Sequence, residues 1–162
     1  MGPRLRSELT NLKNYIFGST AAIITNISII VGLGSARASK GPILASLLTI
    51  ALADNISDSL GIHLYKETEG LGQRLSLLST ALNFFSRLLV SLSFIGIVVY
   101  FSMSQAIVVA IVWGLLLLVL LSFLITRSNK ENSILEIVKH VLVAIVVIVL
   151  SRWVGGLITA NF

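Results

Sequence analysis

The sequence predicts an all-α membrane protein with five transmembrane helices, folded as a single transmembrane domain over residues 1–162. Hydrophobic residues make up 56% of the chain and charged residues only 12%, whereas soluble domains contain about 25% charged residues. The mean hydropathy is +0.97. Apolar segments of about 20 residues, the length that crosses a hydrocarbon core of about 30 Å, recur along the chain between short polar segments.

The composition also excludes several classes of function. The chain contains no cysteine, which removes disulfides and thiolate metal sites. Its net charge of +5 does not indicate nucleic-acid binding, because most basic residues lie between apolar segments, where they set topology and contact lipid headgroups. No short apolar run with a small-residue cleavage site follows the basic N-terminus, so we expect no removable signal peptide.

The first two predicted spans cover residues 15–34 and 42–64. Residues 18–22 of the first span are small, which allows close packing against another helix. Pro42 opens the second span, and the first turn of a helix tolerates proline because its N–H would have no intrahelical partner.

The remaining spans are predicted at residues 80–101, 105–126 and 134–160. The polar segment 65–79 before them is expected to lie partly along the membrane interface as an amphipathic helix. Arg87 falls near the start of the third span, from where a long side chain can extend to the headgroups. The fourth span is almost entirely apolar and is expected to face lipid.

The distribution of basic residues predicts the orientation of the chain. Nine Lys and Arg residues fall on the side of the N-terminus and three on the other side. Because basic residues are enriched on the cytoplasmic side, this places the N-terminus in the cytoplasm and the C-terminus on the opposite side. The nine are Arg4, Arg6, Lys13, Lys66, Arg74, Arg87, Arg127, Lys130 and Lys139, and the three are Arg37, Lys40 and Arg152.

The second span carries two carboxylates at membrane depth. An aspartate at the centre of a membrane helix costs about 2.5–3.5 kcal/mol, so it must face protein or a water-filled cavity. Asp54 and Asp58 are four residues apart and share one helical face. Because intramembrane carboxylates usually serve function, both are predicted as metal ligands and as proton-coupling groups. The alternative is a structural role, as partners of Arg37, of Arg87 or of a neighbouring Asn.

Other residues extend the predicted site. His63, near the end of the second span, is a candidate ligand for a borderline metal, with an ordinary interfacial histidine as the alternative. Asn26 and Thr25 offer neutral oxygens from the first span. Glu67 and Glu69 are predicted to gather cations at the cytoplasmic entrance, with a solvated polar loop as the alternative. This ligand set suits a hard or borderline divalent ion rather than Cu(I).

The last span holds a further candidate pair. Glu136 and His140 are four residues apart and share a face, which is typical either of a second ligand pair or of a charged first helical turn. The sequence contains no nucleophile–base–orienter set and no phosphate-binding loop, so it predicts that the protein is not an enzyme.

Three segments resemble the vacuolar iron transporter family, small five-span proteins that export ferrous iron or manganese from the cytosol. FGSTAAIITN at 17–26 is similar to the family's first-span pattern F-G-x-x-D-G-x-x-T/S. ADNISDSLGIHL at 53–64 is similar to its second-span pattern A-D-x-x-S-M-x-x-G-E-Y-L. The closing RWVGG at 152–156 resembles the family's glycine-rich last span.

The chain departs from the family patterns at several positions. The family's first-span Asp falls on Ala21, and the Met, Glu and Tyr of the second span fall on Asp58, Ile62 and His63. The pattern is matched at Asp54, Ser57 and Gly61.

The resemblance implies a homodimeric transporter of a divalent cation, Fe²⁺ or Mn²⁺, with the path at the two-fold axis. Protons held between the carboxylates of the empty site would be expelled as the metal enters, giving proton-coupled export from the cytosol. No cofactor is bound permanently; the metal is the cargo. The resemblance places the protein in the cell membrane of a prokaryote, or in a vacuolar or other organelle membrane of a eukaryote. The alternatives are a non-transporting scaffold or partner-binding protein, and a transporter of another substrate.

Overall fold

Hydrocarbon offers the backbone no hydrogen-bond partners, so an apolar segment that crosses a membrane must form its hydrogen bonds within itself, as a helix does. A computed structural model of the chain describes the backbone of residues 3–70, 72–129 and 133–161, and the side chains of residues 18–70, 72–124 and 134–161. The helices are α1 (Pro3–Ser35), α2 (Lys40–Thr49), a π-helical turn (Ile50–Asp54), α3 (Asn55–Thr68), α4 (Gln73–Tyr100), α5 (Met103–Asn129) and α6 (Ser133–Asn161).

Within the described residues, five helical segments are long and apolar enough to cross a membrane, which confirms the predicted fold class. α2, the π turn and α3 together form one of them. The five are Gly18–Ser35, Lys40–Thr68, Gln73–Tyr100, Met103–Leu124 and Ile134–Asn161.

The helices on either side of the 65–79 segment are longer than the sequence predicts. α3 continues to Thr68 and α4 already begins at Gln73, so residues 73–79 form the first turns of α4 rather than a separate interfacial helix. Gly70, with a φ of 70°, lies in the short connection that remains. The polar residues of this segment therefore extend two membrane helices instead of interrupting them.

Arg87 does not extend to the headgroups as expected. Since α4 starts earlier than predicted, Arg87 lies at the helix midpoint, and it is only 2% exposed. It therefore cannot count as a basic residue of one membrane side. Eight basic residues against three remain, and they still predict a cytoplasmic N-terminus.

α1 is the central helix and packs against α4, α5 and α6. Glycines allow two of these contacts, because a Cβ at either position would clash with α1. On Gly114 of α5, a Cβ would lie 2.2 Å from Ile27 Cδ1. On Gly155 of α6, it would lie 2.2 Å from the carbonyl oxygen of Gly32. The buried apolar core combines residues of α1, α2, α4, α5 and α6, among them Ile23, Leu47, Phe94, Leu118 and Ala144.

The helix most exposed to lipid is α6 rather than α5. Only 6% of the α6 span is buried, against 22% of the α5 span. The apolar composition of α5 predicts a lipid-facing helix, but small residues at Ala106, Ala110 and Gly114 let one side of it pack closely on its neighbours. Hydropathy alone does not distinguish a side chain that faces lipid from one that faces another helix.

Candidate functional site

The guanidinium of Arg87 is the centre of the candidate site. Its Nη2 lies 2.5 Å from Asp54 Oδ2, and its Nη1 lies 2.6 Å from Asp58 Oδ2. Nε donates to Asn55 Oδ1 at 2.9 Å, and Nη1 donates to the carbonyl oxygen of Gly18 at 3.5 Å. One arginine on α4 therefore links α1 and α3 and partners both intramembrane carboxylates.

Local backbone geometry places the two carboxylates opposite this arginine. Asp54 ends the π turn and lies at the midpoint of the 29-residue segment Lys40–Thr68. Asp58 follows one helical turn later, so both side chains leave the same face toward α4. π turns occur mostly as single insertions in helices and are frequent at functional sites.

Both carboxylates remain accessible. The side chain of Asp54 is 43% exposed and that of Asp58 is 46% exposed, although Arg87 between them is buried. Asp58 and Arg87 line an open-sided cavity of about 480 Å³, whose other lining residues are Ala21, Ser57, Gly61, Ile62, Tyr65 and Asn83. With two ionised carboxylates and one guanidinium, the cluster carries a formal charge of −1.

A buried polar face along α4 continues on both sides of Arg87. It consists of Ser76, Ser79, Asn83, Ser86, Arg87 and Ser91. Asn83 Nδ2 donates to Ser59 Oγ at 3.2 Å, and Ser91 Oγ accepts from Asn26 Nδ2 at 3.0 Å. The sequence reasoning did not identify this face, although polar residues three or four positions apart in an apolar helix are the signal for it.

His63 is not brought together with the two aspartates. Its Nδ1 lies 2.9 Å from Ser76 Oγ and 3.4 Å from Thr80 Oγ1, and its Nε2 lies 3.3 Å from Glu67 Oε1. It lines a different, largely apolar groove between α3 and α4. His63 lies five positions after Asp58 on α3, so the two side chains leave the helix in different directions.

Asn26 and Thr25 are also directed elsewhere. Asn26 Nδ2 donates to the carbonyl oxygen of Ala22 at 2.7 Å as well as to Ser91, and Thr25 Oγ1 donates to the carbonyl oxygen of Ala21 at 3.0 Å. Along α1, Asn26 lies about 12 Å beyond Gly18, which touches Arg87. Neither side chain reaches the carboxylates.

Within the described side chains, the acidic residues beyond the carboxylate pair have partners of their own. Glu69 accepts from Lys66 Nζ at 2.9 Å. This hydrogen bond, with a second from Tyr65, holds the pKa of the Glu69 carboxyl below its usual value. On α6, Glu136 pairs with Lys139 at 2.7 Å, and His140 Nδ1 lies 2.9 Å from Ser122 Oγ. Glu136 and His140 thus contact different neighbours.

The side chains that the structure describes in one copy contribute too few ligands for a protein-coordinated metal. Within the described side chains, no three His, Cys, Asp or Glu residues form a group that could hold a metal ion. Divalent cations are usually bound by more protein ligands than the two carboxylates supply. A cation site at this cavity would need further ligands from water or from a second copy.

Three departures from the family patterns lie around this cavity. Ala21, Asp58 and Ile62, which stand where the family has Asp, Met and Glu, all line it. Two positions that are acidic in the family pattern are thus apolar at this cavity, and Arg87 lies beside them. Comparison of the chain with protein-family models, curated proteins and solved structures found no match.

Proposed function

We propose that the protein is a transporter of a divalent metal cation, Fe²⁺ or Mn²⁺, and that Asp54 and Asp58 are its cation ligands. The observation that carries this proposal is a pair of half-exposed carboxylates at the midpoint of a membrane-spanning segment, beside an open cavity. Such groups are expensive in hydrocarbon and are usually retained for a function. Their oxygens suit hard and borderline divalent ions.

The proposal includes a homodimer, because the carboxylates otherwise face lipid. Beside them runs a stripe of small residues at every fourth position, all exposed, which we name the small-residue stripe: Gly41, Ala45, Thr49, Ala53, Ser57 and Gly61. Small residues let two membrane helices approach closely. A second copy on this stripe would cover the open side of the cavity, since Ser57 and Gly61 also line it.

The π turn keeps the small-residue stripe on one face. In an uninterrupted α-helix, each step of four residues rotates by about 40°, so six such positions would spread over about 200°. The turn Ile50–Asp54 accommodates one extra residue, so the positions after it are rotated back by about 100° around the helix axis. The six positions then lie within an arc of about 100°. One neighbouring helix can cover such an arc.

The charge of the dimer also favours a divalent ion. Each copy contributes a cluster with a formal charge of −1, so two clusters facing one axis would carry −2 and neutralise one M²⁺ ion. The resemblance of residues 15–65 to the vacuolar iron transporters supports the same cargo. The excess of basic residues on one side supports a cytoplasmic N-terminus, and export from the cytosol is the direction that the resemblance implies.

Transport is tested in liposomes loaded with a Mn²⁺-sensitive dye. We expect Asp58→Asn to lower the initial Mn²⁺ flux at least tenfold, because it removes one of the two anionic ligands. Glu136→Gln makes the same change of charge on α6, outside the cavity, and should retain the wild-type rate. A wild-type rate for Asp58→Asn would refute the proposed role.

The dimer is tested by cross-linking, which the absence of native cysteine makes straightforward. Ala53→Cys on the small-residue stripe should give an oxidised dimer in native membranes, because a disulfide forms only when two Cα atoms lie within about 7 Å. Val146→Cys on the lipid-facing side of α6 is the matched control. Equal cross-linking of the two variants would refute this interface.

A second candidate function is a membrane scaffold that does not transport. The observation that favours it is that Arg87 already pairs with both carboxylates, as a purely structural cluster would. Calorimetry of the purified dimer with Fe²⁺, Mn²⁺, Co²⁺ and Zn²⁺ separates the two candidates. Binding that Asp58→Asn abolishes favours the transporter, and a folded dimer that binds none of them favours the scaffold.

A further inference from the structure

We propose that Arg87 is a tethered counter-cation that occupies the cation site when it is empty and swings to a second resting position when a divalent cation enters. This inference rests on the proposed transport function and adds the means by which part of the negative charge of the empty site is balanced. It assigns to a side chain of the protein the charge-balancing role that the sequence reasoning assigned to protons.

The first resting position is the one that the structure describes. Two guanidinium nitrogens of Arg87 lie 2.5 and 2.6 Å from Oδ2 of Asp54 and of Asp58. A divalent cation bridging the same two oxygens would lie about 2.0–2.6 Å from each of them. The guanidinium and the cation therefore compete for the same atoms and for the same negative charge.

The second resting position is marked by a buried acceptor without a partner. Asn83 is fully buried, and within the described part of the chain its Oδ1 accepts no hydrogen bond. Such an acceptor is costly, and it calls for an explanation. Asn83 lies one turn before Arg87 on α4, so the two side chains share a face.

Gly18 shows how close this acceptor is to the arginine. A Cβ built on Gly18 would lie 2.0 Å from Asn83 Oδ1 and 3.3 Å from Arg87 Cγ, so both side chains pack on the same glycine. Arg87 already contacts the Gly18 carbonyl oxygen at 3.5 Å and Asn55 Oδ1 at 2.9 Å. Rotation about the outer bonds of Arg87 would exchange the two carboxylates for Asn83 Oδ1 and keep these neutral acceptors nearby.

One consequence distinguishes this arrangement from a fixed structural ion pair. Removing the guanidinium removes a competitor for Asp54 Oδ2 and Asp58 Oδ2, so the cation should bind more tightly rather than more weakly.

This consequence is measured by titrating Mn²⁺ into the purified dimer by calorimetry. For Arg87→Gln we expect Mn²⁺ affinity to rise at least about tenfold. Arg152→Gln makes the same change of charge on α6 and should match the wild type. A folded Arg87→Gln dimer with unchanged or weaker affinity would overturn the proposal.

A second variant covers the case in which Arg87→Gln does not fold. Asn83→Leu keeps the branching of the side chain and both carboxylates but removes the second resting position, so Mn²⁺ affinity should fall about three- to tenfold. Unchanged affinity in that variant would count against the proposal. Failure of the wild type to bind Mn²⁺ would instead refute the proposed transport function, and this inference with it.

Discussion

Two adjacent glycines on α6, Gly155 and Gly156, provide a sharp test of the helix packing. A Cβ on Gly155 would lie 2.2 Å from the carbonyl oxygen of Gly32 and 2.9 Å from Ser35 Cβ, whereas a Cβ on Gly156 would meet nothing within 4 Å. The same substitution at neighbouring positions therefore creates a severe backbone clash in one case and none in the other.

The expected magnitudes follow from these distances. Relief of the Gly155 clash requires α1 and α6 to separate by roughly 1 Å, since ordinary contacts begin near 3.4 Å and a backbone atom cannot rotate away. Overpacking of this kind costs about 1–3 kcal/mol, and the better helix propensity of alanine returns at most about 1 kcal/mol. Gly156→Ala keeps only that gain.

Thermal unfolding of the two variants in detergent, followed by loss of the monodisperse peak, measures the difference. For a chain of this length, 1 kcal/mol corresponds to about 2–4 °C in Tm. We expect Gly155→Ala to melt several degrees below Gly156→Ala, and Gly156→Ala to melt at or slightly above the wild type. Equal melting temperatures for the two variants would refute the close approach of α6 to α1.

Three further predictions concern two side chains and the orientation of the chain in the membrane. Asn26→Leu should change the free energy of unfolding by less than about 1.5 kcal/mol, measured as a shift in Tm. The variant loses a hydrogen bond, but it also removes a buried amide oxygen that has no hydrogen-bond partner within the described residues. The pKa of Glu69 is lowered, first of all by its hydrogen bond from Lys66. The resulting stability is present above the ordinary pKa of a glutamate and is lost as pH falls through the pKa of the folded state. Glu69→Gln should therefore flatten the dependence of Tm on pH in that acidic range. For orientation, a membrane-impermeant maleimide should label Ser39→Cys from outside intact cells and Gly72→Cys only after permeabilisation, and the reverse pattern would contradict the N-terminus-inside prediction.

Much of this fold could be predicted from hydropathy, because each span is a continuous apolar segment. The prediction failed at residues 73–79, where polar side chains on the first turns of α4 look like a loop when only composition is considered. That error moved Arg87 from the helix midpoint to one end, so its buried position was missed. The lipid exposure of α5 and α6 depends on which small residues contact a neighbouring helix. The hydropathy pattern of one sequence does not show which helices are neighbours.

The candidate site was predicted in part. The four-residue spacing of Asp54 and Asp58 placed both on one face, and Arg87 was among the partners considered for them. His63 and Asn26 were grouped with the aspartates because all lie at membrane depth, but depth does not fix direction, and the structure turns both toward serines of α4. The π turn has no sequence signature that we could recognise.

The central position of α1 has a consequence for biogenesis. Among the five described spans, the first to be synthesised has a hydropathy of only 1.4, against 3.0 for α5, and it carries Asn26 on a face that α4 later covers. Its partners α4, α5 and α6 are synthesised after it, so these contacts close over long stretches of sequence. Until α4 has been inserted, Asn26 therefore lacks the Ser91 hydroxyl to which it donates in the folded bundle.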